Sequence, residues 1–292
     1  MIPDVDNDSI AYLNGEFVRL GDARVSVLDR GFIFGDGIYE VVPVYQGKPF
    51  RMDGHLARLS RSLAAIRIPL EHTRAWWESL VQQLIERSSL GDCMVYIQVT
   101  RGVARRDHAF PKQAVPTVFA MVSPFKRPSA ELRAQGMSAV AIPDIRWLHC
   151  DIKSVSLLGN VLAKQQAVDA GVDEVLQFRD GFLTEGASCN IWVVKNGTLL
   201  APPRNNLILE GIRYGLMETL AAEAGVPFEA RPISRAEVDA ADELLLTSAT
   251  KEILPITRFE GRPVGTGEGA GKPGKVFAAL RAGYDRAIAA LS

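Results

Sequence analysis

The chain has 292 residues, 47% hydrophobic and 23% charged, which is ample core for one large domain or two of ordinary size. Its 33 Lys and Arg are matched by 34 Asp and Glu, and neither half carries the basic excess that a phosphate backbone demands, so nucleic acid is excluded as a partner. The longest uncharged run, Gln113 to Phe125, has only 13 residues with Pro116 and Pro124 inside it, against roughly 20 apolar residues for a spanning helix, so no membrane segment is expected.

The first ten residues hold Asp4, Asp6 and Asp8 and no apolar run, so no secretory leader is expected and the protein reads as soluble and cytoplasmic. Ile10 to Leu13 and Glu16 to Val18 read as a hairpin, because Asn14-Gly15 supplies the two positive-φ residues of a type I′ turn. Ile38 to Tyr45 reads as a strand closed by Gln46-Gly47. Asp53 suits the N-cap of a helix through about Ile66, with Leu56, Leu59, Leu63 and Ile66 on one stripe and His55, Arg58 and Ser62 on the neighbouring face. A second helix is expected from Thr73 to about Arg87. Strands Cys93 to Thr100 and Thr117 to Val122 flank the polar loop Arg101 to Lys112.

The proline-bracketed basic stretch Ser123 to Pro128 suits a linker. It divides the chain into an N-terminal α/β domain over 1–125 and a C-terminal domain over 126–292. In the second half a helix is expected from about Ser156 to Ala170, ended by Gly171. Three strands follow, meandering through the turns Asp180-Gly181 and Asn196-Gly197. Gly211 to Ala224 reads as a helix stopped by Gly225, Glu243 to Thr247 as a strand, and Val276 to Leu291 as a terminal helix after a Gly-rich loop. Hairpin turns with interspersed helices favour an α+β fold with antiparallel pairing over a doubly wound sheet. Three scattered cysteines and four histidines without H-x-x-x-H spacing offer neither a disulfide framework nor a metal site.

Lysine is scarce, 9 residues against 24 arginines, and Lys153 is the one charged residue between Asp151 and Lys164. A lysine desolvated in such surroundings has a depressed pKa and can attack a carbonyl, whereas one at a strand end packs its stem and sends its head to water. Glu185, in Leu-Thr-Glu-Gly, is either a carboxylate able to hold a proton on a ring nitrogen or an edge-strand residue facing solvent. Gly211 opens a helix whose free N–H groups suit a phosphate, or is simply an N-cap. Arg58 could add a charged fork there or be solvated. Arg105, Arg106 and His108 gather donors on one loop that could clamp a carboxylate or form local ion pairs, and Tyr39 could reach a site or cover a core edge.

Taken together in chain order, these pieces resemble the class IV (fold type IV) family of pyridoxal-phosphate aminotransferases, and within it the D-amino acid transaminase branch. The resemblance runs through Asp29 to Val42, Gln98 to Gly102, Arg106 to Pro111, Asp144 to Leu148, Cys150 to Ser154, Leu183 to Gly186 and Asn205 to Leu209. It implies a two-domain α+β architecture in which Lys153 joins pyridoxal 5′-phosphate as a Schiff base and shuttles the α-proton. Glu185 would pair with the pyridine nitrogen, and Leu209 would pack on the ring. Arg58, Gly211, the backbone N–H groups of Ile212 and Arg213, and the Ser248-Ala249 turn would hold the phosphate. Tyr39, Arg106 and His108 would bind the substrate carboxylate, the loop coming from the partner of a homodimer with shared active sites. The implied activity is transamination between D-amino acids, such as D-alanine or D-glutamate, and 2-oxo acids.

Two positions depart from the branch pattern: Arg213 and Ala249 stand where threonines are common, and Arg213 either adds charge to the phosphate site or faces solvent. His149 stands where an arginine is expected. The alternatives on the same scaffold are a branched-chain L-amino acid transaminase and an aminodeoxychorismate lyase, which generally lack the Arg106-x-His108 loop. A non-catalytic α+β protein and a cofactor-free Schiff-base aldolase are the readings from other classes, and neither needs Glu185 beside a phosphate site.

Overall fold

In the computed structural model, which describes residues 5–70 and 72–291, β1 (Ile10–Leu13) and β2 (Glu16–Arg19) pair antiparallel about Asn14 and Gly15. Their φ values, 48° and 108°, are what the Asn-Gly turn provides. A one-turn helix, α1 (Arg30–Phe34), is capped by the Asp29 side chain, which accepts from Gly31 N, and ends at Gly35 in the left-handed region. Then come β3 (Gly37–Tyr45), β4 (Lys48–Pro49), α2 (Met52–Ala65), α3 (Arg74–Ser88), β5 (Cys93–Thr100) and β6 (Thr117–Pro124). The strands form a six-stranded sheet in the order β2-β1-β6-β5-β3-β4, antiparallel throughout. Alternation sends Ile38, Val42, Val95, Ile97, Val99, Val118 and Ala120 to one face, where they bury against Leu56, Leu59 and Leu63 of α2 and Trp77, Leu80 and Leu84 of α3. Asp53 is not the cap of α2. Arg51, at φ 56°, holds that position without a side-chain bond, and Asp53 lies in the first turn, where its charge suits the helix dipole and pairs with Arg74.

The second unit contains α4 (Ala130–Gln135), β7 (Met137–Pro143), α5 (Leu158–Asp169), β8 (Glu174–Arg179), β9 (Phe182–Gly186), β10 (Asn190–Lys195), β11 (Thr198–Ala201), α6 (Ile212–Glu223), β12 (Phe228–Ala230), α7 (Arg235–Asp239), β13 (Glu243–Ser248), β14 (Glu252–Phe259), β15 (Arg262–Pro263) and α8 (Lys275–Ala289). Its nine-stranded sheet runs β12-β11-β10-β13-β14-β7-β8-β9, with β15 on β14. The expectation of antiparallel pairing holds only in part here: β11–β12, β14–β7 and β7–β8 are parallel. The expected three-strand meander is four strands. The chain turns between Gly186 and Cys189, so β9 pairs with β8 while β10 leaves for β11 and β13. Leu176, Ile191, Val193, Leu244, Leu246, Leu254 and Ile256 form its core.

The first unit takes in the chain as far as Lys126 together with Ile152–Ser156, and the second comprises Arg127–Asp151 and Leu157–Ala290. Lys153, expected in the C-terminal domain, therefore belongs with the first unit. The reason is backbone pairing: Tyr39 N donates to Lys153 O at 3.0 Å, Val155 N donates to Gly37 O at 3.0 Å, and Ile38 bridges Ser154. No described helix is long and apolar enough to cross a membrane, and among the described residues no His, Cys, Asp or Glu cluster could hold a metal.

Candidate active site

In the first unit, β3 divides its side chains between two roles. Tyr39 faces away from the core, half-buried and stacked on Tyr96 at 5.8 Å, and Lys153 Nζ lies 4.1 Å from the centre of the Tyr39 ring. Burial pushes the Tyr96 hydroxyl up to about 12, with Tyr39 adding to the shift. Lys153 is itself half-buried, and its backbone N donates to Ser62 Oγ at 3.4 Å. The face of α2 read from the sequence as His55, Arg58 and Ser62 is thus the face turned toward this segment.

Glu40, the next residue of β3, points inward among apolar neighbours and is 1% exposed. Arg58 grips it with two bonds, Nε to Oε1 at 2.7 Å and Nη2 to Oε2 at 2.8 Å, and His55 Nδ1 lies 2.7 Å from Oε2. Burial alone would raise the Glu40 pKa, but Arg58 and His55 outweigh it and hold the carboxyl at about 2. Arg58 is therefore a buried, fixed guanidinium and not a solvated one. Glu40 was missed in the sequence, although an acid at an inward strand position between Ile38 and Val42 is a visible signal, and His55 was placed on the right face of α2 without a partner.

Arg106 and His108 are exposed and come together on the ring of Phe34, His108 with a ring separation of 5.3 Å and Arg106 with its guanidinium carbon 5.6 Å from the centroid. Arg105, on the same loop, is exposed. Beneath the loop, Arg30 is 3% exposed and donates to the carbonyls of Asp107 (2.5 Å), Ala109 (3.4 Å) and His108 (3.4 Å). Asp36 accepts from Arg30 Nε at 2.7 Å and from Arg101 Nε at 2.8 Å. Against the cost of partial burial, these two arginines keep Asp36 below the usual carboxylate range.

In the second unit, Glu185 lies on β9 and is buried, which excludes the solvent-facing alternative. Arg146 binds its Oε1, while Leu209 N (3.2 Å) and Asn190 Nδ2 (3.4 Å) donate to Oε2. Burial raises the Glu185 pKa and Arg146 opposes the rise. Arg146 is in turn fixed by Asp144 through Nε at 2.9 Å and Nη2 at 2.7 Å, and Thr184 and Arg179 complete the Asp144 shell. Burial works against the Asp144 charge, yet Arg146 and Thr184 hold its carboxyl at about 2. Arg146 and Asp144 escaped sequence reasoning as site residues because Glu185 is far along the chain and no local spacing links them.

The half-buried Leu209 closes this set with its carbonyl, which accepts from Asn190 Nδ2 at 2.8 Å. Gly211 is the N-cap of α6 and makes no side-chain cap bond, and its carbonyl accepts from Tyr214 N at 2.8 Å, so the Ile212 and Arg213 amides open the helix ahead of that first bond. A Cβ on Gly211 would fall 2.2 Å from Asn190 Oδ1. The Arg213 side chain is buried, donating to Tyr284 Oη at 2.8 Å and to the Ala249 carbonyl at 3.2 Å, so it does not face solvent. Ser248 Oγ accepts from Lys251 N at 3.0 Å and lies 3.4 Å from Thr250 Oγ1. His149 is exposed and pairs with Asp151 at 3.6 Å.

Residues 37–259 match the family described as amino-transferase class IV. The D-alanine aminotransferase of Staphylococcus epidermidis is 40% identical over 278 residues, covering 95% of this chain and 97% of that protein. The enzyme of the same name from Bacillus licheniformis is 39% identical over 254 residues, 87% and 89% of the two chains. Among solved structures, the branched-chain amino acid aminotransferase of Escherichia coli gives a TM-score of 0.88 at 25% identity over 94% of this chain and 92% of that one. A fold IV-transaminase from Curtobacterium pusillum gives 0.77 at 26% identity, covering 91% and 92%. Matched by the family over residues 37–259 and by 40%-identical relatives along nearly its whole length, the chain belongs to the class IV aminotransferases.

Proposed function

We propose that the protein is a pyridoxal-phosphate-dependent transaminase that moves amino groups between D-amino acids, D-alanine and D-glutamate among them, and 2-oxo acids such as 2-oxoglutarate or pyruvate. The observation that carries the D-selective reading is the pairing of Arg106 and His108 on one aromatic platform, where two donors can fix a carboxylate. Relatives named for D-alanine at 40% identity support it further. The likeness to a branched-chain enzyme supports the second reading, an L-selective transaminase, at lower identity.

The residues fit the cofactor. Lys153 offers a primary amine, Glu185 a buried carboxylate, and Gly211 a helix start with no room for a side chain beside Asn190. Pyridoxal phosphate supplies an electron sink for the pair left when the Cα proton departs. We assign Lys153 Nζ to hold the cofactor and then to take and return that proton. Glu185, kept in place by Arg146, Asn190 and Leu209, holds a proton on the ring nitrogen. Leu209 would pack on the ring. Arg58, the Ile212 and Arg213 N–H groups and the Ser248-Ala249 turn bind phosphate; Arg213 acts through its backbone while its guanidinium braces Ala249. Tyr39, Arg106 and His108 orient the substrate carboxylate so that the hydrogen of the D-enantiomer faces Lys153.

We further assign a cytoplasmic homodimer whose 105–111 loops serve each other's sites. Three buried free cysteines suit a reducing compartment. Exposed apolar residues in each unit, Val27 and Phe32 in the first and Trp147, Leu158 and Val161 in the second, suit coverage by another chain. The deciding assay compares D-alanine, L-leucine and aminodeoxychorismate side by side, with 2-oxoglutarate as acceptor where one is needed. Turnover of D-alanine is expected, and preference for L-leucine would transfer the protein to the second reading.

A further inference from the structure

We infer that Arg30 is a positioning residue that latches the 105–110 loop into its carboxylate-binding shape, with Asp36 and Arg101 completing the latch. The inference rests on the assignment of Arg106 and His108 as carboxylate donors. Three successive loop carbonyls, of Asp107, His108 and Ala109, converge on the Arg30 guanidinium. A nearly buried guanidinium needs acceptors for its N–H groups, and irregular backbone needs donors for its carbonyls, so each satisfies the other. At the far end of the loop, Arg101 lies 3.6 Å over the ring of Phe110. Asp36 bridges the two cations, accepting from Arg30 Nε and from Arg101 Nε and Nη2, and so spares them mutual repulsion.

The platform belongs to the same device. Phe34 lies one helical turn from Arg30 on α1, its ring 4.8 Å from the Arg30 guanidinium carbon, and its neighbours are Arg106 and His108. One short helix thus fixes both the loop backbone and the surface on which the two donors rest.

Arg30→Met keeps the stem and removes the donors. The expected result is a KM for D-alanine raised about tenfold, the cost of loosened charge-assisted contacts, with kcat within roughly threefold of wild type. Hydrogen exchange at the amides of residues 104–110 should quicken in the same variant, while the absorbance of bound cofactor is retained. Arg30→Lys, which keeps one charged donor, should fall between. Asp36→Asn gives the same reading should Arg30→Met not fold. Unchanged exchange in the loop would overturn the inference, as would a fall in kcat with KM unchanged, accompanied by a fall in Tm. If the wild-type protein does not turn over D-alanine, the proposed function fails on its own, and the exchange measurement still decides whether Arg30 holds the loop.

Discussion

Glu185 sits in a shell of donors that all favour its charge, while its burial disfavours it. In its proposed role such a carboxylate would act through electrostatics that matter most as charge develops in the ring, so it should affect turnover more than cofactor retention. Glu185→Gln is expected to keep bound pyridoxal phosphate, read from its visible absorbance, and to lose turnover by about a hundredfold or more. Unchanged turnover would mean that the ring nitrogen is protonated by another route. At this scale the sequence was informative where chemistry is local. Lys153 stands out by isolation in an apolar run, and Glu185 by its glycine-flanked strand end. The partners that give these residues their behaviour were illegible, because charge pairing across a fold leaves no spacing signal. Arg146 reaches Glu185 from 39 positions away, and Arg58 meets Glu40 from 18.

Helices announced themselves through 3.6-residue spacing and their stop signals. The expected α2, α3, α6 and α8 differ from the observed ones by a residue or two at their ends. Strands were harder where the usual punctuation is missing. The turn separating β9 from β10 has no Asn-Gly pair; it closes with Gly186 N donating to Cys189 O at 2.8 Å. β14 contains Pro255, which argues against an interior strand, yet it is interior. The conflict resolves because pairing with β7 begins only at Ile256, so that edge asks no N–H of Pro255. Gly211 offers a test at the level of the helix start. Gly211→Ala keeps an allowed backbone, at φ −64°, but its methyl must displace Asn190, a donor to Glu185 and to the Leu209 carbonyl. Spectrophotometric titration is expected to give a pyridoxal-phosphate affinity weaker by about tenfold, roughly the worth of one charge-assisted hydrogen bond. An unaltered affinity would show that Asn190 moves aside freely.

For the whole molecule, the Glu40 cluster contributes to acid stability alongside other paired carboxylates such as Asp144. The folded pKa of Glu40 is depressed from 4.5 to about 2, so its contribution is fully present above pH 4.5 and is lost as pH falls toward 2. That shift corresponds to about 3 kcal/mol. Denaturant midpoints measured from pH 7 to 3 should fall less steeply for Glu40→Gln, which starts lower because Arg58 and His55 lose their counter-charge. An acid limb as steep as that of the wild type would rule out a contribution from the cluster. Subunit sharing has its own test: a Lys153→Ala chain mixed with an Arg106→Leu chain should partly recover activity, since one site of the heterodimer would carry neither lesion. No recovery in a mixture shown to exchange subunits would refute the shared site.

The segment Ile152–Ser156, paired to β3 inside the first unit, also sets a clock for synthesis. Ribosomes deliver the chain from one end, so a nascent first unit complete as far as Lys126 still lacks the piece that satisfies Tyr39 N and Gly37 O. At about 5–20 residues per second, that piece arrives roughly two to six seconds later. Until then the edge of β3 that will receive Lys153 stays open, and the lysine joins a sheet already waiting for it.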